Sequence, residues 1–366
     1  MRLAWFSPLP SPRPAALDPL PPLLAALEPA HRIDRIDERH AHEFVWQHHR
    51  APYDLVIYEL ADTPAHAFVW PYLLHFPGVL SLHGPTLHES RALTLHATHR
   101  SPSYDAERLY SGWDLLRAPL AASRLTVVSH PLTALSLERE YPSLAVRHVP
   151  LGLGREPATA RHETAPVLRV AAPEAAAANL VRRAGDRLRA STSGIEVLTG
   201  EPDVVLAQAD VVVAVEWPGG EWPMAALAAM ARGAAAIVLE TAATADWPTL
   251  DPQSWQPRAL AGAEPAIAIA LDPRDDEHSL VLALRRLAAD RQLCGSIATA
   301  GRAWWRRHAT LAHAVDGWSA ALAEAARRPP VAPPPDWPAH LAADGTGRAR
   351  AILEDMGVGI DLFARS

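Results

Sequence analysis

The chain contains no lysine, so all 34 of its basic residues are arginine. That excludes a P-loop lysine, a Schiff-base lysine and a lysine general base. Any bound phosphate must then be held by arginine, by histidine or by backbone N–H groups. The single cysteine, Cys294, excludes an internal disulfide and a cysteine-based zinc site, and fits a reducing compartment. No apolar run approaches the ~20 residues needed to span a bilayer. The start, "MRLAWFSPLPSPRP", has too short an apolar stretch for a signal peptide and reads as a first strand. A cytoplasmic location without a transmembrane segment is the expectation. With a net charge of −7 and no basic run, nucleic acid is not an expected partner.

What is present is a long alternation of short apolar runs and helical patterns. This is the signature of βα repeats around mostly parallel sheets. Strands are expected at 2–7, 53–60, 78–84, 124–130 and 146–152, with helices between them that include 65–76 and 131–141. Their continuous apolar character fits sheets covered on both faces. A polar segment without periodicity, 154–166, reads as a linker between an N-terminal domain (1–153) and a C-terminal one (167–328). The second series has strands at 167–172, 194–200, 210–217, 234–240 and 266–271, helices at 174–190 and 202–208, and a helical end with period 3.6. "PPVAPPPDWP" (329–338) reads as a stiff spacer, and the tail (339–366) has room for one short helix. A cut at Arg328 is therefore expected to leave both main domains folded. The fold class is α/β: two Rossmann-like domains facing across a cleft, the second shortened, with a helical C-terminal region.

Four stretches could carry chemistry. A helix opens near Trp222 within "EWPGGEWPMAALAAMARG", where Gly219 and Gly220 allow close backbone approach and Pro223 suits a first turn. Its N–H groups and dipole form an anion site. Glu221 at its mouth is either a receiver of sugar hydroxyls or a partner of the dipole. In "SLHGPTLHES", His83 ends an apolar strand at the edge where open α/β sheets bind ligands, followed by Gly84, His88 and Glu89. The histidines His40, His42, His48 and His49 are scattered along a surface helix and do not converge as metal ligands would, so no metal is expected. Trp304, Trp305, Arg306 and Arg307 read as a packed helix with a solvated charged face. Asp276 or Ser279 reads as a helix cap.

The order of these pieces, from "MRLAWFSPLP" through "GVLSLHGPTLHESRA", "VVSHPLTALSLEREYP" and "ADVVVAVEWPGGEWPMAALAAMARGAAAIVLE" to "GRAWWRRH", resembles the bacterial glycosyltransferases of the large group 1, family 4 class. The resemblance implies a GT-B fold and transfer of a sugar from a nucleotide diphosphate to an acceptor hydroxyl, with retention and without metal or other cofactor. It also implies the donor on the C-terminal domain and the acceptor on the N-terminal one. The family's His-Gly pair corresponds to His83-Gly84, and its acidic residue at the donor helix is most nearly Glu221. Backbone N–H groups near Trp222 to Met224, Pro223 having none, would stabilise the phosphate charge.

Three features depart from the family pattern and describe an eroded donor site. The first loop, "SPLPSPRPAALDPLPP", has prolines where glycine is usual. "RVAAPEAAAANLVRR" has alanines where a diphosphate-gripping cation is usual, with Arg182 and Arg183 about two turns late. Where a second glutamate usually holds the ribose stands Ala228. A non-catalytic GT-B-like partner of an active transferase and, behind it, a nucleotide-sugar epimerase are the alternatives.

Overall fold

The computed structural model describes residues 1–9, 11, 14–97, 100–153, 167–189, 194–215, 223–258, 264–332, 334–343 and 347–357. The N-terminal domain runs β1 (Arg2–Phe6), α1 (Leu20–Leu27), β2 (Arg32–Ile36), α2 (Ala41–Arg50), β3 (Leu55–Leu60), α3 (Val69–His75), β4 (Val79–Leu82) and α4 (His88–Ala97). It continues with α5 (Ser101–Ser111), α6 (Arg117–Ala121), β5 (Leu125–Val128), α7 (Pro131–Glu140) and β6 (Val146–His148). The C-terminal domain has β7 (Leu168–Ala171), α8 (Ala175–Arg189), β8 (Ile195–Leu198), α9 (Pro202–Gln208), β9 (Val211–Ala214), α10 (Met224–Arg232) and β10 (Ala235–Leu239). It ends in β11 (Thr249–Leu250), β12 (Ala268–Leu271), α11 (Asp276–Ala289), α12 (Arg291–His308) and α13 (Leu311–Arg327), before α14 (Ala339–Ala342) and α15 (Gly347–Asp355).

Each domain is built on a six-stranded sheet, ordered β2-β1-β3-β4-β5-β6 and β11-β12-β10-β9-β7-β8. The pairings between these strands are parallel. Parallel neighbours need crossover connections, and the intervening helices supply them. The strand order reverses between β1 and β3 in the first sheet and between β7 and β9 in the second. Crevices for ligands open beyond the carboxyl ends of strands at such reversals.

Two strands escape a reading of apolar runs. β2, "RIDRI", is an edge strand with charged residues and little burial, and β11 spans only two residues. The expected helix over 65–76 splits into a 3-10 turn, Pro64–His66, and α3. The segment 154–166 lies outside the described residues.

α13 leaves the C-terminal domain and packs under the N-terminal sheet. Trp318 lies 4.8 Å between ring centroids from Trp5 of β1, and Leu322 and Ala325 share a cluster with Leu20, Leu24 and Leu27 of α1. The domain boundary expected at 328 thus does not coincide with the packing. Gly152, at the start of the connection, sits against this helix: a Cβ there would come within 2.7 Å of the Ala314 Cβ and of the Leu311 Cα. Gly152→Ala should therefore destabilise the protein by about 1–3 kcal/mol through forced separation of α13 from the N-terminal domain. Equilibrium denaturant unfolding checks this, and an unchanged midpoint would refute the account.

The chain beyond Arg328 does not hang free. Leu341 on α14 is 2% exposed and belongs to the N-terminal core. His340 Nε2 lies 2.7 Å from Oε1 of Glu107, a carboxylate that is 1% exposed at its side chain and is also gripped by Arg91. Arg117 donates to Asp336 at 2.9 Å. Beyond the stretch read as a stiff spacer, the few apolar groups of this segment finish the N-terminal core.

Candidate functional site

The site begins at the carboxyl end of β4. Parallel register sets Glu59 of β3 directly opposite Ser81 of β4, so their side chains share one face of the sheet. His83, two residues beyond Ser81, continues that face, and its backbone N–H donates to the Leu60 carbonyl at 3.0 Å. Its Nε2 lies 3.8 Å from Glu59 Oε1 and 3.5 Å from Ser81 Oγ. Both the His83 and Glu59 side chains are only 12% exposed. Glu59 was not singled out from the sequence. Its signal was there: a lone carboxylate within the apolar strand "LVIYEL".

Immediately after His83 the chain enters a cavity of about 290 Å³ at the domain boundary. Its walls include Pro85, Asp114, His130, Ser136 and Glu140 from the N-terminal domain, and Ala243 from the C-terminal one. Leu115, which follows Asp114, has a left-handed φ of 58°. That conformation strains a branched side chain and marks functional segments. The Asp114 carbonyl accepts from Leu87 N–H at 2.9 Å, and its carboxylate accepts from Leu116 N–H at 3.3 Å.

Burial pushes the Asp114 carboxyl up from the usual range, and the charge of Glu140 adds to this while the Leu116 N–H opposes it. Burial likewise raises the Tyr141 phenol, reinforced by Asp114 and Glu140. Across the boundary, His130 Nε2 lies 3.3 Å from Asp246 Oδ1. His148 beside it donates from Nε2 to the Ser129 carbonyl at 3.1 Å, and burial lowers its imidazole pKa. The cavity therefore offers hydroxyls and carboxylates to a polar ligand, with apolar walls from Leu132 and Leu137.

On the C-terminal side, α10 is buried along its whole length except Arg232. Pro223 precedes it as the capping residue and the helix starts at Met224, one turn position later than expected. Gly233 ends it in the left-handed conformation, φ 71°, with its N–H on the Met230 carbonyl at 3.0 Å. Glycine suits such a cap because it lacks Cβ. The β7/β9 reversal opens a crevice beyond the carboxyl end of β9, which α10 follows in the chain. Gly219, Gly220, Glu221 and Trp222 fall between β9 and α10 and lie outside the described residues. From the N-terminal side, Leu17 in the 3-10 turn Ala15–Leu17 buries itself in the cluster that holds α10.

The arginines expected near the donor are turned to other partners. Arg183 pairs with Asp276 at 3.6 Å and with Glu277 at 3.3 Å, both on α11. The Arg182 guanidinium reaches Asn179 of its own helix at 3.5 Å. α8 packs along α11, and the apolar seam between them dictates which side its charged residues take. The acceptor-side candidates divide as well. Gly84 adjoins His83, and Glu89 is exposed on the first turn of α4. The His88 ring is instead stacked on Trp113 at 4.9 Å and meets Tyr104 edge-on at 5.8 Å. That places His88 in an aromatic cluster with Trp113 and Tyr104.

Among the described residues no group of three or more His, Cys, Asp or Glu side chains could hold a metal. His40 is bound to Asp37 at 2.6 Å, and His48 stacks on Tyr53. Trp305 is buried, and Trp304 packs on Trp247 at 5.3 Å, as a packed helix requires. Ser279 is buried in α11 and Asp276 lies in its first turn. Among the described residues no helix is long and apolar enough to cross a membrane.

No family model matches the chain, and no curated protein does. Solved structures do. HepE of Anabaena in complex with UDP and glucose superposes at a TM-score of 0.56 and 10% identity, over 88% of this chain and 99% of its own. The HepE complex with UDP-glucose gives 0.54 at 10% identity, over 88% and 99%. WaaG, a glycosyltransferase involved in lipopolysaccharide biosynthesis, gives 0.55 at 12% identity, over 87% and 99%. At such identities the likeness is one of architecture. With two parallel α/β sheets facing across a cleft and a helical C-terminal region, the chain has the GT-B fold.

Proposed function

We propose that the protein is a glycosyltransferase that moves a sugar from a nucleotide-diphosphate sugar to an acceptor hydroxyl, with retention and without metal. The observation that carries this reading is His83, fixed beside Glu59 at the carboxyl edge of the sheet where the domain-boundary cavity begins. The donor lies over the amino end of α10, where helix N–H groups favour a diphosphate and Glu221 receives sugar hydroxyls. HepE, of like fold, is known with UDP and glucose, which supports a nucleotide-sugar donor here. The acceptor enters the cavity, its hydroxyls bonded by Asp114, Ser136 and Glu140. His83 polarises the transferring sugar or the leaving phosphate.

One observation favours a second reading, a non-catalytic GT-B-like protein partnering an active transferase. The two arginines nearest the donor end of α8 are directed to Asn179, Asp276 and Glu277. A charge-assisted phosphate contact is worth about 1.5–3 kcal/mol. Its loss weakens donor binding by roughly ten- to a hundred-fold. Calorimetric titration with UDP-, GDP- and TDP-sugars into the millimolar range separates the readings. The transferase binds one of them saturably, and Glu221→Ala abolishes that binding. Absence of binding to all three transfers the conclusion to the non-catalytic partner.

A further inference from the structure

We propose that Glu59 is a positioning residue that keeps the His83 imidazole protonated, so that the cation facing the donor diphosphate in this lysine-free chain is an imidazolium. The diphosphate half of this inference rests on the transferase reading above; the Glu59–His83 half does not.

The argument is geometric. Glu59 is carried by β3, near the centre of a sheet whose neighbouring positions are apolar: Leu60 and Tyr58 flank it in sequence. A carboxylate that is 12% exposed is expensive to keep charged without a partner. The parallel register brings to it a group that can supply a full positive charge, the imidazole of His83, 3.8 Å away. On the far side of β4, the position opposite Ser81 is Val127, which is uncharged. Ser81 Oγ, 3.5 Å from the same Nε2, is neutral. Past the end of β3, Asp62 is occupied by Thr86 Oγ1 at 2.9 Å and by the Ser90 N–H at 3.0 Å. Past the end of β5, His130 is drawn to Asp246. Of these groups, the Glu59 carboxylate is the charged one that lies within ion-pair range of the His83 imidazole.

An opposite charge within ~4–6 Å favours the charged form of each partner. Nε2 lies on the side of Glu59 and Ser81, and in the imidazolium both ring nitrogens are donors. When the bond between the anomeric carbon and the phosphate oxygen breaks, its electron pair goes to the diphosphate. The imidazolium stabilises that charge by a hydrogen bond and needs to transfer no proton. This supplies from the N-terminal domain the positive charge that Arg182 and Arg183 do not bring from the C-terminal one.

The sign of the pH dependence follows. His83 is charged below its midpoint and neutral above it, so donor affinity is full at low pH and falls as pH rises through that midpoint. Glu59→Gln moves the midpoint, and with it the loss of affinity, to lower pH by about one unit or more. Glu59→Asp retains a carboxylate and restores part of the shift.

The experiment is a 15N NMR titration of the full chain, with His83 assigned by comparison with His83→Gln, run on wild type, Glu59→Gln and Glu59→Asp after thermal melts show them folded. It is paired with UDP, GDP and TDP titrations at several pH values. An acid shift of the His83 midpoint in Glu59→Gln, partly restored in Glu59→Asp, and a parallel shift in nucleotide affinity support the proposal. Should Glu59→Gln not fold, Glu59→Ala takes its place, a midpoint equal to that of wild type overturning the proposal. An unmoved midpoint in Glu59→Gln overturns it whatever the nucleotides do. A moved midpoint with no nucleotide bound at any pH overturns the diphosphate role and the transferase reading with it, leaving the pairing of the two side chains.

Discussion

Replacement of His83 by alanine is expected to lower sugar transfer by about 10²-fold or more while the protein stays folded, in line with loss of one positioned polar group at a reacting centre. The separation of the two effects follows from where the ring sits. His83 lies past the last residue of β4, so its removal breaks no strand pairing, and its backbone N–H to Leu60 survives the change. The cost to stability falls on Glu59, which loses the imidazole 3.8 Å away. Turnover of donor with acceptor, measured beside a thermal melt, is the check. A mutant that transfers sugar at the wild-type rate would make His83 a structural residue and move the reacting centre elsewhere in the cleft.

Cutting the chain after Arg328 is expected to destabilise the N-terminal domain by roughly 3–5 kcal/mol, or about 10 °C or more in Tm. Most of this comes from Leu341, whose burial at 2% exposure closes the cluster over α3, and from Trp337 packed beside it. The remainder comes from His340, which caps Oε1 of Glu107. The exposed pair between Arg117 and Asp336 contributes little, because both side chains are about half solvated. A full-length chain carrying Leu341→Ala separates packing from truncation and should lose about 2–4 kcal/mol by itself. If the truncated chain melts with the intact one, the docking of α14 has no energetic weight and the segment is a spacer after all.

The long apolar runs were legible in the sequence because a strand buried on both faces leaves no room for polar residues. "LVIYEL", "VLSL" and "AAIVL" all fall where their composition places them. β2 was not legible. An edge strand is covered on one side by its neighbour β1 alone, so "RIDRI" could keep its charges in water and lose the apolar signature. The helices of the C-terminal end were legible from their 3.6-residue period, but the period cannot say against which domain a helix lies. α13 has an apolar stripe suited to either sheet, and only its meeting with Trp5 and with Gly152 assigns it to the first.

The same limit applies to the site. His83 could be read from the sequence because strand, histidine and glycine are neighbours in the chain. Glu59 stands twenty-odd residues away, and nothing local relates a carboxylate in one strand to an imidazole past the end of another. The relation exists only through the β3–β4 register, which a shift of one residue would destroy by turning Glu59 to the opposite face. Arg183 makes the converse point: its charge and spacing suggested a phosphate, but the packing of α8 on α11 faces it with Asp276 and Glu277. The sequence by itself determined the alternation of strands and helices, the absence of lysine chemistry and the small-residue helix that ends at Gly233, because each depends on composition within a few turns of chain. The tertiary structure alone decided which side chains meet across the cleft, since strand register and helix docking are set by contacts between residues distant in sequence.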